Sequence, residues 1–518
     1  MKKVYILIVA IISLFILGSC SNNNEKEKLK IIDIALTEED YAFILQKDNL
    51  ELKSDFNNYL NSIKENGEFD QIVNKYVNNL EGKIGITPKV SGYVNDENTF
   101  VVATNMPFGP FEYKDVDGKA YGIDIEIAIG FAKSKGLELV VAEMDFDAIF
   151  PSVSTGYSDI GMAGITVTPE RQEEFEFTLA YYNASQKLIV KESNKDFDNC
   201  KTASDVEEVL SALKGEKIGY QTGTMGNWYI AGDEGFGFVG FANIEGVGNA
   251  SLQLICQDVL YGRLYAVVTD ELPAEAIVES INSMINGGKL EKFFEYLLQP
   301  YYQNLILIGL RNTVLIAIFG LIIGLVIGII IGIIKVAPKY KWYLKALDKI
   351  TSIYVTAFRG TPIVVQLLMS YYVILPICNI MIDKLIVAII VFGLNSGAYI
   401  TEIIRGGINS VDKGQLEASR ALGLSYSTSM IKVVIPQAIK NIIPSIGNEF
   451  ITLVKETSVA SFISVMDLYN AFKSIGDSSL EKMVPYLVMS IVYVLLIIII
   501  TLIVKLVEKI FAKSDKRN

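Results

Sequence analysis

Four long apolar stretches in the C-terminal part of the chain leave few choices for what it can fold into. They run Leu305–Val336, Ile363–Ile377, Leu385–Ile404 and Val484–Val507. With a rise of 1.5 Å per residue, helices of such composition cross a hydrocarbon core of about 30 Å. A fifth stretch, Ile442–Ile463, is interrupted by Glu449, Lys455 and Glu456. Charges at that depth are costly against lipid, so these should face a protein interior or an interface. Counting it predicts an all-α membrane domain of five spans over residues 300–512.

Basic residues in short loops set the orientation of such a domain. Lys335, Lys339, Lys341, Lys345 and Lys349 follow the first span, and Arg405, Lys413, Arg420 and Lys432 follow the third. The tail adds Lys505, Lys509, Lys513, Lys516 and Arg517. The C-terminus is therefore expected inside and the N-terminal side of the first span outside. From Tyr301 onward there are 21 basic and 12 acidic residues, against 25 and 46 before it. An acidic polar half is thus joined to a basic apolar one. A net charge of −12 offers no basic face for nucleic acid. The chain has no His, which removes His acid–base chemistry and His-containing zinc sites. No nucleophile motif is recognisable either, so no enzyme activity, metal or cofactor is expected.

At the other end, Lys2-Lys3 precedes the apolar run Val4–Leu17, the pattern of a secretory signal. The run closes on Leu17-Gly18-Ser19-Cys20 and turns polar at Ser21-Asn22-Asn23-Asn24. Small residues ahead of a Cys resemble the bacterial lipobox. The resemblance implies a signal over 1–20, lipidation of Cys20 and a polar tether over 21–28. An uncleaved signal anchor is the alternative, and both put the next residues outside the cytoplasmic membrane. Of the other cysteines, Cys200 and Cys256 could bridge in an oxidising compartment. Two free thiols is the reading preferred here.

Between the third and fourth spans lies Glu417-Ala418-Ser419-Arg420-Ala421-Leu422-Gly423, followed by Val433-Val434-Ile435-Pro436. Glu417 and Ala418 suit a short helix, Gly423 a sharp exit, and Pro436 the start of the next helix. The segment 417–436 resembles the EAA loop of ABC-transporter permeases, with Ser419 where the pattern prefers Ala. Gly309-Leu310-Arg311-Asn312-Thr313, Phe358-Arg359-Gly360-Thr361-Pro362 with Gln366, Asn448-Glu449-Phe450-Ile451 and Lys455-Glu456-Thr457-Ser458 agree. Together they resemble the histidine/glutamine-type polar amino-acid permeases. The resemblance implies that Glu417, Ala418 and Gly423 meet an ATPase subunit. No GxxxxGK[ST] occurs in the sequence, so that ATPase is expected on a separate chain.

The acidic half reads as alternating strands and helices, the pattern of a parallel α/β sheet with ligand sites at strand C-termini. Thr99–Thr104 is a buried strand leading to the aromatic loop Asn105–Tyr113. A helix ends near Gly136, and Leu137–Met144 is a second strand. Thr168-Pro169-Glu170-Arg171 has Thr as N-cap and Pro at the first helical position. With Tyr220–Thr224 and Val267–Glu271, these segments resemble the family 3 extracellular amino-acid-binding proteins. That implies a two-lobed, type II periplasmic-binding-protein-like α/β domain over 29–285.

The family's closing segments are missing after Asp270, and counterparts stand at the N-terminus. Leu29–Asp33 resembles the last strand of the second lobe, and Ala35–Leu45 the hinge and a first-lobe strand. Asp55–Glu65 and Ile72–Tyr76 resemble the terminal helices. The domain therefore resembles a circular permutant: 29–77 is the family's C-terminal part, 78–98 a joining linker and 99–285 its N-terminal part. Permutation is tolerated where termini are close and the new cut is exposed. Lipid and permease would then both hold the second lobe and leave the first to swing.

By the same resemblance, Arg171 takes an amino acid's carboxylate, a role its bidentate guanidinium suits. Asp270, the Gly164 carbonyl and the Thr166 hydroxyl take the ammonium. Thr224 and the Met225 amide add donors, and Phe108 and Phe146 wall the side chain. Asn105 and Gln221 set specificity; both are neutral, which favours glutamine over Lys or Arg. The resemblance implies the binding and translocating subunit of an ATP-driven amino-acid importer in the bacterial inner membrane. Its binding domain would lie outside, and its partners would be an ATPase and a second permease domain. An amino-acid-gated channel would need a selectivity filter that is not found. A tethered sensor would need an output domain.

Overall fold

Val-, Ile- and Phe-rich strands collect into two five-stranded sheets, and the long apolar runs form helices of up to 37 residues. The structure is a computed structural model describing residues 27–89, 95–233, 235–285, 288–378 and 380–514. The signal run and Cys20 lie outside the described residues. The chain divides into two compact units.

In chain order the strands begin with β1 (Leu29–Ile32), β2 (Glu39–Tyr41), β3 (Ile44–Gln46) and β4 (Thr99–Thr104). Then come β5 (Tyr113–Lys114), β6 (Ala120–Tyr121), β7 (Glu138–Glu143), β8 (Ile160–Gly161) and β9 (Phe175–Phe177). The last are β10 (Tyr182–Ala184), β11 (Gln186–Lys191), β12 (Lys217–Gln221), β13 (Glu245–Asn249) and β14 (Ala266–Asp270).

One unit is the segment up to Thr37 with Ser185–Gly288. Its sheet runs β1-β11-β14-β12-β13. β12 is parallel to β13 and β14, whereas β11 runs antiparallel to both β14 and β1. Asn282 clasps β1 from the far end of the unit, accepting from the Leu29 amide at 2.9 Å and donating to its carbonyl at 2.8 Å. Ile189, Ile255, Val267 and Ile277 fill one face of this sheet, and Leu188, Val206, Ile218 and Val268 the other. Cys200 and Cys256 are free thiols, the second fully buried.

The other unit holds Glu38–Ala184 and everything from Lys289 onward. Its sheet, in the first lobe, runs β7-β4-β8-β3-β9. β4 is parallel to β7 and β8, while β3 lies antiparallel between β8 and β9. The expectation of a parallel sheet thus holds for β4 with β7 and β8 and for β12 with β13 and β14, while β3 in one sheet and β11 in the other run against their neighbours. The helices Leu50–Glu65 and Glu68–Val77 bury Phe56, Leu60, Phe69 and Ile72.

In the membrane domain, Pro300–Val336, Lys384–Asn409 and Met483–Lys509 are long and apolar enough to cross a bilayer. Trp342–Gly360 and Ile363–Ile377 meet at 106° and make at most one more span. The bend falls at Thr361-Pro362, both extended, where proline's ring disfavours helix in the preceding residue. Among the described residues this gives three spans, or four with the bent pair, and the expected count of five is not confirmed. The fifth candidate breaks because the helix Ile435–Glu456 ends on its charges and a 3₁₀ turn, Thr457–Ile463, follows. As expected, Glu449 turns inward, accepting from the Ser396 hydroxyl at 2.9 Å. The first and third spans pack almost backbone to backbone. A Cβ on Gly328 would lie 2.4 Å from Ile400 Cγ2, and one on Gly324 2.9 Å from Ser396 Cβ. Small residues take the place that a hydrophobic drive occupies in water.

The first lobe also meets the membrane domain. It packs on the membrane domain through Tyr157, whose ring stacks on Tyr371 at 4.3 Å, and through Asp145, which pairs with Lys473 at 2.8 Å.

Candidate functional site

Six of the predicted ligand residues gather at strand ends in the first lobe. Thr168, extended at φ −129°, caps a short helix by accepting from the Arg171 amide at 3.1 Å, with Pro169 in its first turn. This fixes Arg171, whose guanidinium donates to the Thr166 carbonyl at 3.0 Å and lies over the rings of Phe150 and Phe146 at 4.8 and 5.7 Å. Burial pushes the guanidinium down to about 10, against the pull of Glu39, Asp147 and Glu170. A desolvated cation held by carbonyl and aromatic faces is well suited to a carboxylate.

The Thr166 hydroxyl donates to Glu39 at 2.6 Å, so its oxygen retains accepting capacity. Gly164 takes φ +54°, and a Cβ there would meet Phe108 Cε1 at 2.5 Å, so only glycine fits under that ring. The Gly164 amide donates to Asp124 at 3.3 Å. Asn105 donates to the Met144 carbonyl at 2.8 Å, tying the loop after β4 to the loop after β7. Phe108 stacks on Phe111.

The remaining four collect in the other unit, where β12 and β14 end. Asp270 accepts from Gln186 at 2.8 Å and stands at the start of the helix Glu271–Met284. Thr224 donates to the Gln221 carbonyl at 2.8 Å and precedes the helix Met225–Ala231. Gln221 is buried and points its amide at the Ala250 carbonyl, 3.4 Å away.

Sequence reasoning missed four contributors: Glu39, Phe150, Asp124 and Gln186. Glu39 was legible only as part of a hinge, since its partner Thr166 is distant in sequence. Phe150 follows Phe146 by one helical turn, a spacing that could have pointed to it.

A different surface carries Glu417. Asp412 caps the helix Lys413–Ala421, whose Glu417, Ala418 and Ala421 are exposed while Ser419 turns inward. The chain leaves through Gly423 at φ +86°, and Leu422 is 84% exposed. The helix starts four residues earlier than Glu417, and Pro436 sits in the first turn of Ile435–Glu456.

Two families match the chain. Binding-protein-dependent transport system inner membrane component covers residues 324–513, and bacterial extracellular solute-binding proteins, family 3, covers 100–356. The arginine transport system permease protein ArtQ of Bacillus subtilis is 37% identical over 166 residues, 32% of this chain and 76% of the relative. A putative glutamine transport system permease protein GlnP of Rickettsia felis is 36% identical over 221 residues, 42% of this chain and 97% of the relative. Among solved structures, an amino acid ABC transporter with histidines is 34% identical, covering 40% of this chain and 95% of its own, with a TM-score of 0.38. An ancestral arginine-binding protein bound to glutamine is 31% identical, covering 36% and 76%, with a TM-score of 0.31.

Proposed function

Because this chain belongs to the inner membrane components of binding-protein-dependent transport systems, fused to a family 3 solute-binding region, we propose that it both captures and translocates a polar amino acid. It is a non-enzymatic transporter subunit of the bacterial inner membrane. The observation that carries the proposal is the Arg171 half-site, its guanidinium on the Thr166 carbonyl and over Phe146 and Phe150, in the same chain as the exposed helix Lys413–Ala421. One takes a carboxylate; the other offers Glu417, Ala418 and Leu422 to a separate ATPase chain, beside a second copy or a related permease.

In this reading Arg171 holds the carboxylate, and Asp270, Thr166 and the Gly164 carbonyl take the ammonium. Thr224 and Met225 add donors, Phe108 and Phe146 wall the side chain, and Asn105 and Gln221 select it. Two neutral amides favour glutamine. A second reading, a cationic amino acid such as arginine, is favoured by the acids acting on Arg171, Glu39 and Asp147. The domain is read as a circular permutant, supported by a family match that begins at residue 100 while β1 and β3 lie in the two sheets. Cys20 is read as its lipid anchor, with the binding domain on the outer side.

Calorimetry on the full chain against the twenty amino acids tests this. Saturable binding of one polar or cationic amino acid, lost in Arg171→Ala, is expected. A folded chain that binds none of the twenty sinks the reading.

A further inference from the structure

The two first-lobe loops that carry the ligand residues also carry the lobe's contact with the membrane domain. Asn105 and Phe146 belong to the half-site; Met106, Glu143 and Asp145 line a polar cavity with Ser464, Lys473 and Asp477 of the membrane domain. That cavity is about 40 Å³, room for a few waters and far too small for an amino acid.

Around it lie ion pairs, of which Lys473–Asp145 crosses the contact, its lysine mostly covered and its aspartate 45% exposed. Lys473, on the helix Leu468–Ser479, reaches Asp145 at 2.8 Å and Asp477 at 3.2 Å, and Lys482 reaches Asp477 at 2.5 Å. Burial alone would raise the Asp477 carboxyl, yet the two lysines hold it below the usual range. Lys114, its side chain wholly buried, pairs with Glu143 at 2.7 Å and also donates to the Ser474 hydroxyl. Two aromatic contacts flank these pairs. Tyr157 stacks on Tyr371, and the buried Tyr302 donates to the Asp115 carbonyl at 3.2 Å.

Surfaces that meet and part are polar and wet, and keep their groups satisfied when separate. This one is different: separation would bare Tyr157 and Tyr371 to water and strip Lys473 of one of its two carboxylates. Lys473, mostly covered, would then keep Asp477 alone, a carboxylate that Lys482 also holds. We propose that the first lobe is a standing part of the membrane domain, seated on the helix Leu468–Ser479 in every state of the transport cycle. The word cycle rests on the importer reading; the seating rests on these contacts alone.

The test is a distance. Spin labels go on Lys133→Cys in the first lobe and Glu295→Cys in the membrane domain, with Cys200 and Cys378 replaced by Ser, in the full chain in nanodiscs. Double electron–electron resonance is recorded without ligand, with arginine, with glutamine, and with the co-expressed ATPase trapped by ATP and vanadate. One narrow distance in all four conditions is expected. A second, longer population in any of them overturns the proposal. Lys473→Asp, which sets three acids together, should create such a population, and Tyr157→Ala serves if that variant does not fold. If the folded variants keep the single distance, these contacts do not hold the lobe and the proposal falls. A chain that takes up no amino acid still reports the distance, so the importer reading fails separately, by uptake.

Discussion

Arg171 and Glu417 each sit on a helix of fewer than ten residues capped by a side-chain oxygen, Thr168 for one and Asp412 for the other. Their surroundings are opposite. Arg171 is packed against Phe146 and Phe150 and shifted by burial, whereas Glu417 stands in water beside the bare Leu422. A small ligand can bring only a few groups, so its site must be dry in advance for each to count. A protein partner brings a whole surface and dries the contact itself. The comparison makes a rule to test: changes near Arg171 should register in binding and folding, and changes near Glu417 in neither.

The largest effect expected is from Glu417→Lys. ATP-dependent uptake in vesicles should vanish while amino-acid binding by calorimetry stays as before. Normal uptake in that variant would end the coupling role of the exposed helix. Next, Arg171→Ala removes a charge-assisted carboxylate contact worth about 3 kcal/mol, so affinity should fall roughly a hundredfold. A loss under threefold would mean that the carboxylate is held elsewhere.

Asp124 gives a third probe. Burial raises its carboxyl to about 7, opposed by bonds from Tyr181, the Gly164 amide and Glu112. The unfolded value is about 4, so between these limits the folded chain holds a proton that the unfolded chain has released. Its stabilising contribution is whole below about pH 4 and is lost as pH rises through about 7, by at most ~1.4 kcal/mol per pH unit. Hydrogen exchange in the first lobe should become easier from pH 5 to 7 after correction for intrinsic rates, and less so in Asp124→Asn. Parallel profiles would remove the assignment. The smallest effect belongs to Leu422→Ala, about 1 kcal/mol at a protein interface. Ligand-stimulated ATP hydrolysis should need severalfold more ATPase subunit, with thermal stability unchanged.

What could be read from sequence was what is set locally. Thr168-Pro169 announces a helix start, and Gly423 announces an exit, because capping and backbone handedness depend on a few adjacent residues. The strand Thr99–Thr104 was legible because it is apolar on both faces. Other features depend on partners distant in sequence. Nothing near Glu39 indicates that it meets Thr166, and nothing near Lys473 indicates Asp145. The bend at Pro362 was not legible for a related reason. Hydropathy measures whether a segment tolerates lipid, not whether it runs straight. The packing of the first lobe on the membrane domain was not legible either, because chain connectivity says nothing of side-chain contacts.

The clasp between Leu29 and Asn282 fixes an order of events during synthesis. β1 is made at the start and β11 far later, and the residue that closes over β1 emerges just before Pro300 opens the first span. The earliest strand therefore waits, unpaired, while the rest of its sheet is made. Long-range pairing of this kind is slow and leaves a bare edge in the meantime. That edge lacks its partner until β11 has been made, and its clasp until shortly before the first membrane helix.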